Sequence, residues 1–218
     1  MKVLKFIGKI IGYILLTILT IIAICYGIIA CQTSRTQINY QDEINKYSNS
    51  YNVDPLLTAS IVKVESDFDN DAQSHQGAKG LMQLLDDTAK HSAEVIGEDY
   101  YPDKLNDIDY NLKLGVGYYN YLYKHYNNKE LALAAYNGGV GNVDKWIEDG
   151  VIDSKNPDIS KIPFDETRQY VTKVMANYDV YKTFYKDGLP SNIELSDLHQ
   201  LAYNNFMVFL GNIMDDIA

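Results

Sequence analysis

Asp54-Pro55-Leu56-Leu57-Thr58-Ala59-Ser60-Ile61-Val62-Lys63-Val64-Glu65-Ser66 reads as one complete helix. Asp54 is placed to accept from the free amides of the first turn. Pro55 suits the first helical position, where its missing N–H would have had no partner. Leu56, Leu57, Ser60, Ile61 and Val64 recur at helical spacing and make one apolar face. The helix ends near Glu65-Ser66, and Asp67 to Lys79 reads as a loop punctuated by Gly77 and Gly80. A glutamate at a helix end beside a polar loop is ordinarily a surface residue. The stretch by itself assigns Glu65 no chemistry.

Working outward, the pattern stays helical. Tyr40 to Ser50 makes a first helix. Another begins at Asp86 or Asp87, capped by a carboxylate. A longer one starts at Asp107 or Asp109 and runs through Leu112, Val116, Tyr119 and Leu122. Glu130 to Tyr136 is stopped by Asn137-Gly138-Gly139, and Asn142 to Asp149 follows. Gly150 to Phe164, with Pro157 and Pro163, is an irregular connection. Asp165 to Tyr185 is a long amphipathic helix, and Gly188-Leu189-Pro190 breaks it off. Leu195 to Met214 is helical again, with Leu198, Leu201, Phe206 and Phe209 on a stripe suited to packing on the preceding domain. The expected fold is mainly α. Tyrosines are plentiful, 19 in 218 residues, and cluster at 118–126 and 178–185. Most suit the edge of a core, with a minority free to stack on sugar rings.

The N-terminus differs in kind. Lys2, Lys5 and Lys9 precede Ile10 to Ala30, a run without a charged side chain. At about 1.5 Å per residue it crosses a hydrocarbon core of about 30 Å. The lysines favour the cytoplasmic side, which places everything after Arg35 outside. An uncleaved signal anchor is the favoured reading, since the run exceeds the usual signal-peptide core. Ile28-Ile29-Ala30-Cys31 is the alternative, a loose lipobox with Cys31 as a lipidated N-terminus. The expected organisation is an anchor over 1–31, a linker over 32–39, a main helical domain over 40–187 and a helical extension over 188–218.

The net charge is −10. Phosphate binding needs clustered Lys and Arg, so nucleic acid is excluded as a partner. The two cysteines, Cys25 and Cys31, belong to the apolar segment, which leaves the rest without a disulfide framework or a Cys-based metal site. His75, His91, His125 and His199 show no zinc-ligand spacing and read as surface or loop residues.

Four separated clusters change the standing of Glu65. They are Ile61-Val62-Lys63-Val64-Glu65-Ser66-Asp67-Phe68; Gly77-Ala78-Lys79-Gly80-Leu81-Met82-Gln83-Leu84 with Thr88-Ala89; Ala134-Ala135-Tyr136-Asn137-Gly138-Gly139 leading into Gly141-Asn142-Val143; and Ile162-Pro163-Phe164 with Glu166-Thr167-Arg168 and Tyr170-Val171. Asn111 to Val116 lies between the second and third. In this order they resemble the Slt-type lytic transglycosylase catalytic domain, whose helical core is similar to goose-type lysozyme. The resemblance covers about residues 40 to 186. One departure is Asp86, where the family often has proline; either residue fits the first turn or cap of a helix.

The resemblance implies an enzyme acting on peptidoglycan, which the apolar N-terminal run would hold on the outer face of a membrane, with wall turnover, secretion or conjugation machinery as settings. Glu65 is expected to protonate the oxygen between N-acetylmuramic acid and N-acetylglucosamine. It then takes a proton from the muramic C6 hydroxyl, which closes a 1,6-anhydro ring. That sequence needs a carboxyl protonated near neutrality, hence apolar surroundings; Met82, Tyr136 and Tyr170 are expected to supply them, with the Tyr170 hydroxyl orienting the acid. Ser66 and Gln83 are expected to contact sugar or support groups that do, and Asn137 to bond an N-acetyl group or nearby backbone. Gly138, Gly139 and Gly141 read as turn residues. Pro163, Phe164 and Thr167 read as a loop stop, a packing anchor and part of a helix start. No metal or organic cofactor is required. Asp67 and Asp69 are the nearby candidates for a second carboxylate, which would make the enzyme a muramidase or chitin-type hydrolase. A non-catalytic wall-binding protein is the remaining alternative.

Overall fold

A computed structural model describes residues 2–186, 188–191 and 195–217. The side chains of Lys2, Lys5, Leu198 and His199 lie outside that set. Among the described residues the secondary structure is helical, with isolated bridges and no strand. The chain forms two compact units, one of Ile38–Asn192 and one of Met1–Gln37 with Ile193–Ala218.

In the larger unit, α2 (Gln41–Tyr51) and α3 (Pro55–Ser66) come first. The Asp54 carboxylate accepts from the Leu56 N–H at 2.9 Å, so the cap read from sequence is the cap observed. Leu57, Ala59, Ile61 and Val62 are buried, and α3 packs along α8 (Asp165–Phe184). The next helix, α4 (Asp86–Ile96), departs from expectation: its cap residue is Leu85, which has no side-chain acceptor. Asp86 and Asp87 occupy the first turn instead, where they oppose the positive end of the helix dipole, and Asp86 accepts from the Tyr100 hydroxyl.

The long helix α5 (Ile108–Tyr126) is capped by Asp107 on the Tyr110 N–H at 2.9 Å. It contacts α2, α4 and α6 (Lys129–Gly138), and α6 meets α7 (Val140–Glu148) and α8. Of the three glycines read as turn residues, Gly139 takes a left-handed φ of 85°. Gly138 is the last residue of α6, and a Cβ there would meet the buried Thr167 side chain at 2.8 Å. Gly141 is inside α7. Phe164 is half exposed and packs edge-on against Trp146, with ring centroids 5.1 Å apart.

In the smaller unit, α1 (Lys2–Arg35) runs past the apolar segment without a break. The first residues of the expected linker are therefore helical, because nothing after Ala30 interrupts the ladder. Its stretch Phe6–Ser34 is long and apolar enough to cross a membrane, with a mean hydropathy of 2.7. Thr17 and Thr20 donate to the carbonyls of Tyr13 and Leu16, both at 2.8 Å, so their hydroxyls are satisfied within the helix. The C-terminal helix α9 (Leu195–Ile217), expected to pack on the preceding domain, is grouped with α1. Its Ala202 and Phe206 are buried, and Phe206 meets Tyr26 edge-on at 5.4 Å.

Candidate active site

Glu65 occupies the last turn of α3, and local backbone decides what comes to face it. Asp67 and Phe68 both adopt left-handed φ, 54° and 64°, so the chain turns back immediately after the helix. Phe68 is buried at the turn. The returning loop closes on itself through paired backbone bonds between Lys79 and Leu84, each 3.1 Å. Ser66 ties the helix end to that loop by donating to the Leu81 carbonyl at 2.9 Å.

The loop is held from the other side by Asn111 of α5. Its fully buried amide accepts from the Met82 N–H at 2.8 Å and donates to the carbonyls of Leu105 at 2.7 Å and Lys79 at 3.0 Å. Gly80 makes this approach possible: with φ 73°, a Cβ there would stand 2.5 Å from the Asn111 amide nitrogen and 2.6 Å from the Leu105 carbonyl.

The result is a cleft of about 420 Å³ with Glu65, Gln83, Tyr136 and Asn137 on its walls, together with Glu166. Ser74, His75, Gln76, Leu84, Leu85 and Thr88 complete most of the lining. Gln83 donates to the carbonyls of Ala72 and Gly80, both at 2.9 Å, and Tyr136 donates to the Met82 carbonyl at 2.8 Å. Ser66, Met82 and Tyr170 are not among the lining residues. Ser66 is committed to backbone carbonyls, and Met82 is fully buried where Gly115 leaves it room on α5.

Burial pushes the Glu65 carboxyl up from the usual 4.5 to about 7. The Tyr170 hydroxyl pulls the other way, and the negative charge of Glu166 adds to the rise. That hydroxyl is buried with no partner at hydrogen-bonding distance among the described residues, so it acts on Glu65 from slightly longer range and the burial effect prevails. Tyr136 and Tyr170 are themselves held well above the usual tyrosine value, first by burial and next by the Glu65 charge. Both stay neutral and able to donate.

Asp67 and Asp69 do not supply a second carboxylate in the cleft. Both are exposed; Asp67 pairs with Lys63, and Asp69 accepts from the Asp71 N–H at 3.0 Å. Glu166, in the first turn of α8, takes that place. The only hint of it in the sequence was membership of the fourth cluster. Nothing in the sequence marked Ser74, His75 and Gln76, because they reach the cleft through the loop's closure alone.

Residues 42–158, more than half of the chain, match the family described as the transglycosylase SLT domain. The chain belongs to the transglycosylase SLT family. Over 162 residues it is 33% identical to the soluble lytic murein transglycosylase of Escherichia coli K12, an alignment covering 72% of this chain and 25% of that one. It is 29% identical over 168 residues to the membrane-bound lytic murein transglycosylase C of Yersinia pestis, covering 66% of this chain and 47% of the relative. Among solved structures, it superposes on an inactive Glu-to-Gln mutant of Pseudomonas aeruginosa Slt with TM-score 0.62 and 32% identity, covering 70% of this chain and 25% of the other. The Escherichia coli Slt70 structure gives TM-score 0.65 and 27% identity, covering 76% and 27%. This family member thus spans about a quarter of the length of its soluble relatives. The mainly helical, lysozyme-like fold expected for the family is the fold observed.

Proposed function

We propose that this family member is a peptidoglycan lytic transglycosylase, that Glu65 is its single catalytic acid and base, and that α1 anchors it in a membrane. The observation that carries the reading is a carboxyl on the wall of an open cleft, desolvated enough to titrate at about 7. Near neutrality such a group populates both forms, as one residue acting first as acid and then as base requires. That the Pseudomonas aeruginosa relative was solved as an inactive Glu-to-Gln mutant supports the assignment.

Protonated Glu65 donates to the glycosidic oxygen as the bond to muramic C1 breaks. The substrate's N-acetyl oxygen stabilises the cationic centre. Ionised Glu65 takes the proton from the C6 hydroxyl, and O6 bonds to C1. The proton lent in the first half is recovered in the second, and no water enters the product. Tyr170, outside the lining residues, limits the rise in the Glu65 pKa. Tyr136 and Gln83 shape the wall, each fixed by a bond to backbone, and Asn137 is exposed and available to an N-acetyl group. Ser66 and Met82 act through position, setting the helix end and the loop. The catalytic domain is assigned to 40–187, the anchor to 1–31 and the extension to 188–218.

Glu166 favours one second reading. A second carboxylate in the same cleft is what a hydrolase uses to direct water. Mass analysis of muropeptides released by the full chain in detergent separates the two. Anhydromuramic ends are expected, and their absence from Glu65→Gln digests. Reducing ends would make the enzyme a muramidase, and undiminished digestion of sacculi by Glu65→Gln would remove Glu65 from the chemistry. Carbonate extraction of cell membranes tests the anchor: retention is expected, with intact-mass measurement distinguishing a whole N-terminus from a diacylated Cys31.

A further inference from the structure

The Glu65 cleft does not stop at Tyr136. The Tyr136 ring packs on that of Tyr118 at a centroid distance of 5.8 Å. Tyr118 is stacked nearly parallel to Tyr121, 6.2 Å away and 15° between planes. His91 meets both tyrosines edge-on, at 6.0 and 5.7 Å. His91 lies one turn beyond Thr88, a lining residue of the cleft, so α4 and α5 both carry the surface onward. Tyr118 is buried beneath, whereas Tyr121 is 39% exposed. A parallel ring backed by a second ring and braced by an imidazole is a rigid platform, and the apolar face of a sugar is its natural complement.

The same face of α5 leads further. Tyr118, Tyr121 and His125 are spaced i, i+3 and i+7, a single stripe about 10 Å long. At its end is a second cleft of about 540 Å³, with His125, Tyr126, Asn128 and Asp144 among its walls. Asp144 accepts from the Tyr126 hydroxyl at 2.9 Å and faces the His125 ring nitrogen at 3.3 Å. A carboxylate so fixed beside aromatic side chains offers a sugar both hydrogen-bond acceptance and an apolar wall.

We propose that α5 carries a glycan track running from the Glu65 cleft over Tyr121 to the His125–Asp144 cleft, occupied by a continuing stretch of the same β-1,4-linked strand. Continuity with the first cleft argues for the polymer rather than for another ligand. The proposal rests on the function assigned to that cleft. A long strand is held at two places at once, and the enzyme grips chains in proportion to their length.

The test uses the full chain carrying Glu65→Gln, so that nothing is cleaved, and a β-1,4 hexamer of N-acetylglucosamine followed by calorimetry. Tyr121→Ala and Asp144→Ala are expected to weaken binding about tenfold each, the order of one lost ring stack or one charged acceptor. Tyr121→Phe keeps the platform and the affinity. Tyr123→Ala, whose ring stacks on Tyr119 away from this face, serves as control and binds as the parent. Circular dichroism confirms folding of each variant. Unchanged affinity in Tyr121→Ala and Asp144→Ala overturns the track, as does absence of hexamer binding in the parent. Neither outcome touches the role of Glu65, which digestion of sacculi by the unmodified chain decides separately.

Discussion

Glu166 stands in the same cleft as Glu65 and raises the proton affinity of that carboxyl through its negative charge. Two carboxylates from the end of one helix and the start of another thus share one space, with burial as the larger influence and charge as the smaller. Tyr170 opposes both.

These opposed influences predict opposite shifts in the pH profile. In the proposed mechanism Glu65 enters the reaction protonated, so activity is expected to fall as pH rises through its pKa of about 7. Glu166→Gln removes a charge that favours the proton, and the alkaline limb moves to lower pH. Tyr170→Phe removes a group that favours the anion, and the limb moves to higher pH. Rates on sacculi between pH 5 and 9 check both; limbs that move together, or not at all, contradict the assignment. Because the Tyr170 hydroxyl meets no partner at hydrogen-bonding distance among the described residues, Tyr170→Phe is also expected to cost little thermal stability.

Stability should depend on pH through Glu65 as well. Its folded pKa is above the usual 4.5, so the folded state holds the proton more tightly than the unfolded chain does. That contribution is complete below pH 4.5 and is lost as pH rises through 7. Glu65→Gln cannot lose it. The variant should unfold at a higher temperature than the parent at pH 8, by a margin worth up to about 3 kcal/mol, and the margin should vanish near pH 4. An equal difference at both pH values would mean that the carboxyl is solvated.

Asn111→Ala should be costly although Asn111 is not among the residues that line the cleft. It leaves the Met82 N–H and the Leu105 and Lys79 carbonyls without their amide partner in a dry place. A loss of about 3 kcal/mol is expected, read as a fall in denaturant midpoint, with weaker activity because the loop over Glu65 loosens.

Gly80→Ala should act on the same joint from the other side. Left-handed backbone and a Cβ driven into Asn111 and the Leu105 carbonyl predict about 2–4 kcal/mol of destabilisation. Gly77→Ala is a useful comparison, since its φ of 86° carries the backbone strain while nothing lies within 4 Å of the added carbon. It should lose clearly less in the same unfolding experiment.

Helices, and the cap of α3, were legible because they are local; for α5 the sequence left Asp107 and Asp109 both open, and the structure selects Asp107. Asp54 and Asp107 sit within three residues of the amides they satisfy, and apolar spacing reports a face whatever it packs on. Local reading failed at α4, where an acidic first turn imitates a capping residue, and after Ala30, where polarity suggested a linker but the helix ladder continued. Glu65 was legible as a candidate through the company of its four clusters. The neighbours that tune it were not. Glu166 lies 101 positions away, and the role of Asn111 exists only once a loop folds onto α5. Sequence thus determined the elements, because hydrogen bonding and periodicity act over a turn or two. Tertiary structure decided the depth of the carboxyl, its partner charge and the aromatic stripe leading from it, because desolvation and charge depend on distance in space.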